Sequence, residues 1–121
     1  MLQYNKLYQS LKKVGGEWHA GHFQWHYYWN YIKFYEDGSV IYCGTPSEDF
    51  VNINSWFNKE NENIYIGKYN IAKNDDISIE IPVTIGHITL EGGIYPTAII
   101  VKSKNPKIQY ELLDSYEIRD F

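Results

Sequence analysis

The chain has 121 residues, which fits one domain with one hydrophobic core, and we expect a single domain over residues 1–121. Its 44% hydrophobic and 17% aromatic content excludes disorder, while 21% charged residues and a net charge of −4 are ordinary for a soluble protein. No run approaches the ~18 apolar residues of a membrane helix, and the first residues lack the apolar stretch of a signal peptide. The single cysteine, Cys43, excludes an internal disulfide. We therefore expect a cytoplasmic protein with no membrane association.

The charge balance argues against nucleic acid as a partner. Eleven Lys and Arg are set against fifteen Asp and Glu, and apart from Lys102, Lys104 and Lys107 no three of the basic residues cluster. Phosphate binding requires a concentrated basic surface. We expect no nucleic-acid partner.

The first segment, residues 5–13, has a helical pattern. Leu7, Tyr8, Leu11 and Val14 recur at helical spacing, and Gly15-Gly16 is a typical helix end. A first strand over 17–23 and a long aromatic strand over 25–35 follow. The sequence therefore predicts a short N-terminal helix and then a change to strands.

A hairpin turn at Glu36–Ser39 leads to a third strand over 40–42, because Asp-Gly between apolar runs is a strong hairpin signal. Thr45-Pro46-Ser47-Glu48 has the form of a capping box, which predicts a helix to about residue 58. Phe50, Ile53 and Phe57 fall on one face of that helix. We expect this face to pack on the sheet.

Five further strands are predicted over 64–71, 77–81, 88–90, 98–101 and 108–112. The breaks between them fall near 74–76, 84–86, 92–96 and 105–106. The pattern predicts an all-β fold, an eight-stranded antiparallel meander with a short N-terminal helix and one helix between strands 3 and 4. A meander of this length tends to close into a barrel, which removes exposed edges, and a β-sandwich is the alternative.

Several motifs are similar to those of a known superfamily. Gly16-Glu17-Trp18 resembles the Gly-x-Trp opening of the calycins, the lipocalins and fatty-acid-binding proteins. The block from Tyr28 to Ile41, followed by Thr45-Pro46, resembles a small lipocalin-like domain that lies downstream of the F-box in a family of F-box-only proteins. Residues 66–71 match that domain's next strand. The resemblance covers residues 16–83 best.

The resemblance implies an eight-stranded calycin-like barrel, in which an Arg near the C-terminal end, here Arg119, packs against the opening Trp18. It implies no adaptor role in ubiquitin ligation, because we find no F-box in the sequence. A lipocalin-type cargo role is not implied either, since secretion signals and disulfides are not expected.

The second predicted strand carries the functional hypothesis. One parity holds His26, Tyr28, Asn30, Ile32 and Phe34, and we expect this parity to face the barrel interior. An apolar cavity with a few polar groups is the usual form of a small-molecule site. The candidate ligand-binding residues are His26, Tyr28, Asn30, Phe34 and Tyr42. The alternative is a filled interior in which Tyr28 and Asn30 satisfy each other.

The opposite parity of that strand is aromatic and predicts an interface. Its candidate interface residues are Trp25, Tyr27, Trp29, Tyr31 and Tyr35. Such a patch exceeds what monomers usually expose, so it favours a homodimer or another protein partner. Cover by one of the predicted helices is the competing explanation.

The residues that could carry catalysis form no recognisable set. His22 and His26 share a parity but lie roughly 13 Å apart on a strand, too far for one metal ion. Cys43 has no evident base, and no phosphate loop or nucleophile elbow is present. We expect no metal and no cofactor. The first hypothesis is a noncatalytic binding module for a small apolar or aromatic ligand; a protein-interaction domain is second and an enzyme third.

Overall fold

The computed structural model describes residues 1–45, 52–84, 86–104 and 112–119, without the side chains of residues 13, 14, 104, 112 and 113. Eight antiparallel strands close into a barrel in chain order. They are β1 Leu7–His19, β2 His22–Phe34, β3 Ser39–Thr45, β4 Tyr65–Ile71, β5 Asp76–Val83, β6 Gly86–Tyr95, β7 Ala98–Lys104 and β8 Leu112–Arg119. A four-residue helix, α1 Ile53–Trp56, lies between β3 and β4, and a 3-10 turn spans Lys73–Asp75. The predicted all-β closed antiparallel barrel is confirmed.

The predicted N-terminal helix is wrong, because residues 7–19 form β1. Leu7 and Tyr8 are adjacent, and both are buried on opposite sides of the strand. Tyr8 belongs to the core inside the barrel, while Leu7 packs with α1 on the outside. A strand that is buried on both faces does not show alternating apolar and polar residues. The apolar residues of β1 therefore fall at a spacing that is typical of a helix.

Two predicted boundaries also differ from the structure. The strand predicted over 17–23 contains the β1–β2 turn at Ala20-Gly21, where both residues have positive φ (49° and 81°), as a two-residue hairpin turn requires. Gly92 and Gly93 do not break the chain but lie within β6, which continues to Tyr95. The last strand lies at 112–119, and the predicted strand residues 108–111 are outside the described residues.

The helix-start signal at residues 46–48, and Phe50, also lie outside the described residues. The described part of the predicted helix packs as expected, because Ile53 and Phe57 are fully buried.

The barrel interior is filled with side chains from alternate positions. β5 shows the pattern most clearly, with Ile77, Ile79 and Ile81 buried and the residues between them exposed. Ile32 and Phe34 of β2 point inward as predicted, and Val40 continues their layer. Leu2 joins the same core and closes one end of the barrel.

The opposite end carries a long two-stranded ribbon. β1 and β2 pair with each other from Tyr8–Ile32 to His19–His22, with a bulge between residues 13 and 15. In contrast, β8 pairs with β1 only over residues 7–9, and β3 pairs with β2 only over residues 29–34. Residues 10–28 therefore lie outside the ladders with β8 and β3, and we call this segment the ribbon.

Candidate functional site

Polar side chains gather inside the barrel at the ribbon end. They follow the interior positions of their strands: Ser10 and Lys12 come after Tyr8 on β1, and Asn30 precedes Ile32 on β2. We call this group the mouth cluster; it consists of Ser10, Lys12, Tyr28, Asn30, Tyr42, Asp114 and Tyr116. Its position makes it the set of polar groups nearest to the open end of the packed core.

Two polar contacts hold the cluster together. The Tyr42 hydroxyl donates a hydrogen bond of 2.9 Å to Oδ1 of Asn30. Nζ of Lys12 lies 2.8 Å from Oδ2 of Asp114, which links β1 to β8. Asn30 and Asp114 are only 5% and 8% exposed, so each contact is made by a buried acceptor.

Several donors of the cluster have no side-chain partner among the described residues. Nδ2 of Asn30 and the hydroxyls of Ser10, Tyr28 and Tyr116 make no side-chain hydrogen bond to the described residues. Ser10 and Tyr116 are 4% and 2% exposed as whole residues, but their hydroxyl oxygens are not among the enclosed polar atoms of the described residues that lack a hydrogen bond. These donors are therefore available to a molecule that supplies acceptors.

The hydroxyls of Tyr42 and Tyr116 are donors at neutral pH. Burial, and then the neighbouring Tyr28, raise the pKa of Tyr42 to about 12. Burial also raises the pKa of Tyr116 well above its usual value. Gly44 on β3 allows Tyr28 and Asn30 to lie against the strand, since a Cβ there would lie 2.5 Å from the Tyr28 ring and 2.8 Å from Oδ1 of Asn30.

The structure brings together three of the five predicted ligand-binding residues, Tyr28, Asn30 and Tyr42. Phe34 lies deep in the closed end, where its ring is edge-on to Tyr8 at 5.4 Å. His26 lies on the exposed ribbon, with Nε2 3.6 Å from Oε1 of Glu17. Neither Phe34 nor His26 is placed to line the mouth.

The sequence analysis missed Lys12, Asp114 and Tyr116. Lys12 lies in the segment that the sequence predicts to be helical, whereas in β1 it shares the interior face with Tyr8. Asp114 and Tyr116 lie in β8 beyond residue 112, where the last predicted strand ends. The alternation of Asp114, Tyr116 and Ile118 is the signal that places all three on one face of β8.

Helix α1 covers part of the aromatic outer face of β2. Tyr31 is fully buried beneath Phe57, with ring centroids 6.1 Å apart. Nζ of Lys33 donates a 3.2 Å hydrogen bond to the carbonyl of Phe57, which fixes the end of the helix. Trp29 and Tyr35 pack at the margin of the same cluster and are half-buried. Cover by a helix therefore accounts for three of the five predicted interface residues.

The other aromatic residues remain exposed on the ribbon. Trp18 is 75% exposed, Trp25 48%, Phe23 41% and Tyr27 36%. The Phe23 ring lies 5.5 Å from that of Trp18 and 4.8 Å from that of Trp25, edge-on to both. The strand register places these four residues on one face and Glu17, Gln24 and His26 on the other. The ribbon therefore has one apolar and one polar face.

Three other features considered in the sequence, Cys43, a possible metal site and Arg119, do not form a functional site in the described residues. Burial raises the pKa of Cys43 to about 12, so its thiol is protonated at neutral pH and is a poor nucleophile. The described residues contain no group of three or more His, Cys, Asp or Glu placed to hold a metal ion. Arg119 pairs with Leu7 at the closed end, so its expected packing against Trp18 at the ribbon tip is wrong.

Two grooves lie on the outer surface of the barrel. One of about 840 Å³ crosses β4 to β7 and is lined by Ile71, Tyr95 and Ile100 among others, and one of about 580 Å³ crosses β3 to β5. No member of the mouth cluster lines either groove. The two grooves are therefore separate from the mouth.

Comparison of the chain with family models, curated proteins and solved structures gives no match. Within the described ranges, no helix is long and apolar enough to span a bilayer.

Proposed function

We propose that this protein is a noncatalytic, calycin-like binding module whose mouth cluster takes a small flat molecule carrying a carbonyl oxygen. The observation that carries the proposal is the set of donors around Asn30 that make no side-chain hydrogen bond to the described residues. The up-and-down order of the eight strands supports the calycin assignment.

The packing below the mouth limits where such a ligand sits. Ile32 and Phe34 are fully buried, and the core that contains them fills the barrel. A ligand therefore lies at the mouth and not along the barrel axis. The rings of Tyr28 and Tyr42 flank Asn30 and offer flat apolar surfaces, which suit an aromatic ligand better than an extended chain.

The charges of the cluster narrow the ligand chemistry further. Lys12 and Asp114 neutralise each other at 2.8 Å, so the mouth has no net charge from this pair. The free oxygen of Asp114 repels a carboxylate, whereas an amide N–H can donate to it. An aromatic amide matches both needs, because its carbonyl accepts from Nδ2 of Asn30 while its nitrogen donates to Asp114.

Benzamide and benzoate are matched probes of this proposal. Both are followed by NMR while they are titrated to about 10 mM, a range suited to fragments that bind with millimolar affinity. We expect benzamide to bind more tightly than benzoate. The amide signals that move should belong to residues 10–12, 28–30, 42–44 and 114–116. Native mass spectrometry of the purified protein shows whether a small molecule is already retained.

Variants test the site assignment. Tyr28→Ala and Asn30→Ala should each lose benzamide binding while remaining folded. Tyr95→Ala, at an exposed outer position, should bind as the parent does. Unchanged affinity in both mouth variants, or benzoate binding as well as benzamide, would contradict the proposal.

A further inference from the structure

We propose that the aromatic face of the ribbon is the interface of a homodimer, in which it packs against the same face of a second copy about a two-fold axis. This interface is independent of the proposed ligand site, because the ribbon face and the mouth cluster lie on opposite sides of β2. The face consists of Leu11, Trp18, Phe23, Trp25 and Tyr27.

The amphipathic character of the ribbon is the first argument. A two-stranded ribbon alone is only marginally stable in water, and an antiparallel pair normally packs one face and leaves the other solvated. Here the solvated face is the polar one, where His26 approaches Glu17 at 3.6 Å. The aromatic face corresponds to the packed side, yet Trp18 is 75% exposed on it. Within the described ranges this face is left largely open to solvent, which favours cover by another molecule.

Helix α1 does not supply that cover. Its buried residues, Ile53 and Phe57, pack on Tyr31 and Ile41, near the middle of the barrel. Exposure rises steadily along the same face of β2, from the fully buried Tyr31 to the half-buried Trp29 and then to Tyr27 and Trp25. The internal cover therefore ends where the proposed interface begins.

The exposed area is large enough for an interface. With side chains of ~150–250 Å², the five residues together expose on the order of 500 Å² per copy. Two such faces bury on the order of 1,000 Å² in total, which is about the lower limit of a specific interface. Trp and Tyr are also enriched at the energetic centres of interfaces.

Charge permits two identical faces to meet. By register one ionised residue, Lys13 opposite Tyr27, belongs to the aromatic face, and a two-fold axis near Phe23, closer to the tip of the ribbon, keeps the two copies of Lys13 apart. A contact between the ribbon and the outer groove of another copy is the alternative geometry. That contact would be heterologous and would build rings or chains, whereas face-to-face packing closes at two copies.

Sedimentation velocity on the full chain tests the inference. Over about 5–200 μM, a range that spans micromolar dissociation constants, the parent should show a species of twice 14.3 kDa. The double variant Trp18→Ser/Phe23→Ser should raise the dissociation constant at least ~100-fold, as expected for loss of central aromatic residues. Tyr95→Ser, which removes a 51% exposed tyrosine elsewhere on the barrel, should leave it unchanged.

Hydrogen exchange of the parent protein is a second test, which does not require the double variant to fold. Exchange of the ribbon amides at 16–27 should slow between low and high protein concentration, while that of β4 and β5 should not change. A parent that stays monomeric at about 200 μM overturns the inference. Dimerisation that persists in a folded double variant, species larger than a dimer, or exchange that slows only outside the ribbon also overturns it. Benzamide binding is read separately, so failure of the dimer leaves the proposed ligand site untouched.

Discussion

Two adjacent glycines in β6, Gly92 and Gly93, differ in whether a side chain could be added without a steric clash. A Cβ on Gly92 would collide with the backbone carbonyl of Ile100 on β7, whereas a Cβ on Gly93 would be in ordinary contact with the Tyr95 ring at 3.6 Å. Gly92 therefore allows the close approach of two strands that a small barrel requires.

This difference predicts opposite outcomes for the same substitution. Gly92→Ala should lower the free energy of unfolding by about 1–3 kcal/mol or more, because backbone must move to remove the collision. Gly93→Ala should be neutral or should stabilise by up to ~1 kcal/mol, because it restricts the unfolded chain. Urea denaturation of the two variants measures both, and equal losses would contradict the close-approach role of Gly92.

The β2–β3 turn contains a perturbed carboxyl group. The Lys59 ammonium, 2.6 Å away, and two hydrogen bonds from Ser39 hold the pKa of Asp37 well below its usual range. A lowered pKa in the folded state means that the contribution to stability is present at neutral pH. It is lost as pH falls through the folded-state value.

We expect Lys59→Met to raise the pKa of Asp37 toward the unperturbed value of about 3.9, because it removes the largest cause of the shift. The carboxyl carbon of Asp37, followed by NMR during acid titration, gives the value directly. Lys73→Met is the matched control, since Lys73 lies in another turn. A pKa of Asp37 that is the same in the parent and in Lys59→Met would contradict this account.

At the scale of elements, Phe57 is a main anchor of α1 on the barrel. Phe57 is fully buried and contacts Tyr31 and Trp56. Phe57→Ala should therefore cost about 3–5 kcal/mol in the free energy of unfolding. Glu62→Ala, at an exposed loop position, is the control and should cost less than ~0.5 kcal/mol. A cost for Phe57→Ala as small as that of the control would mean that the helix is not docked on β2 and β3.

The sequence predicts elements well where one face of a strand is buried. The alternation of β5 and the inward parity of Ile32 and Phe34 are both confirmed. The alternation of apolar and polar residues does not reveal β1, because Leu7 and Tyr8 are buried on opposite faces where α1 covers the outside. That burial depends on residues some fifty positions away, so no local pattern contains it.

The candidate site, like the strands, could be predicted in part from the sequence. Tyr28, Asn30 and Tyr42 belong to correctly placed strands and meet as expected. Lys12 and Asp114 meet only because β1 and β8 close the barrel. The sequence analysis had assigned neither residue to the strand that carries it, and their pairing could not be predicted.

For the whole molecule, the interior tyrosines predict a sensitivity to alkaline pH. Burial raises the pKa of both Tyr42 and Tyr69 to about 12, and that of Tyr116 is raised as well. A raised pKa in the folded state means that stability is complete below the unfolded value of about 10. It declines as pH rises from about 10 to 12, because the unfolded chain ionises first.

Urea denaturation at pH values on either side of 10 should show this decline, and absorbance at high pH should show phenols that ionise only on unfolding. Tyr42→Phe removes one of the buried phenols and should make the decline shallower. A free energy of unfolding that is constant between pH 9 and pH 12 would contradict the burial of these hydroxyls.

The closing contact between β1 and β8 has a consequence for the order of folding. Its ladder joins residues 7–9 to residues 117–119, which are more than a hundred positions apart, through three residue pairs in the described chain. Every other ladder joins neighbouring strands and can form as a hairpin with a short connecting loop, except that between β3 and β4, which encloses α1. Because loop-closure entropy rises with length and distant contacts form slowly, the curled sheet assembles first and its two edge strands meet last. The same seam should be the first to open in the native state.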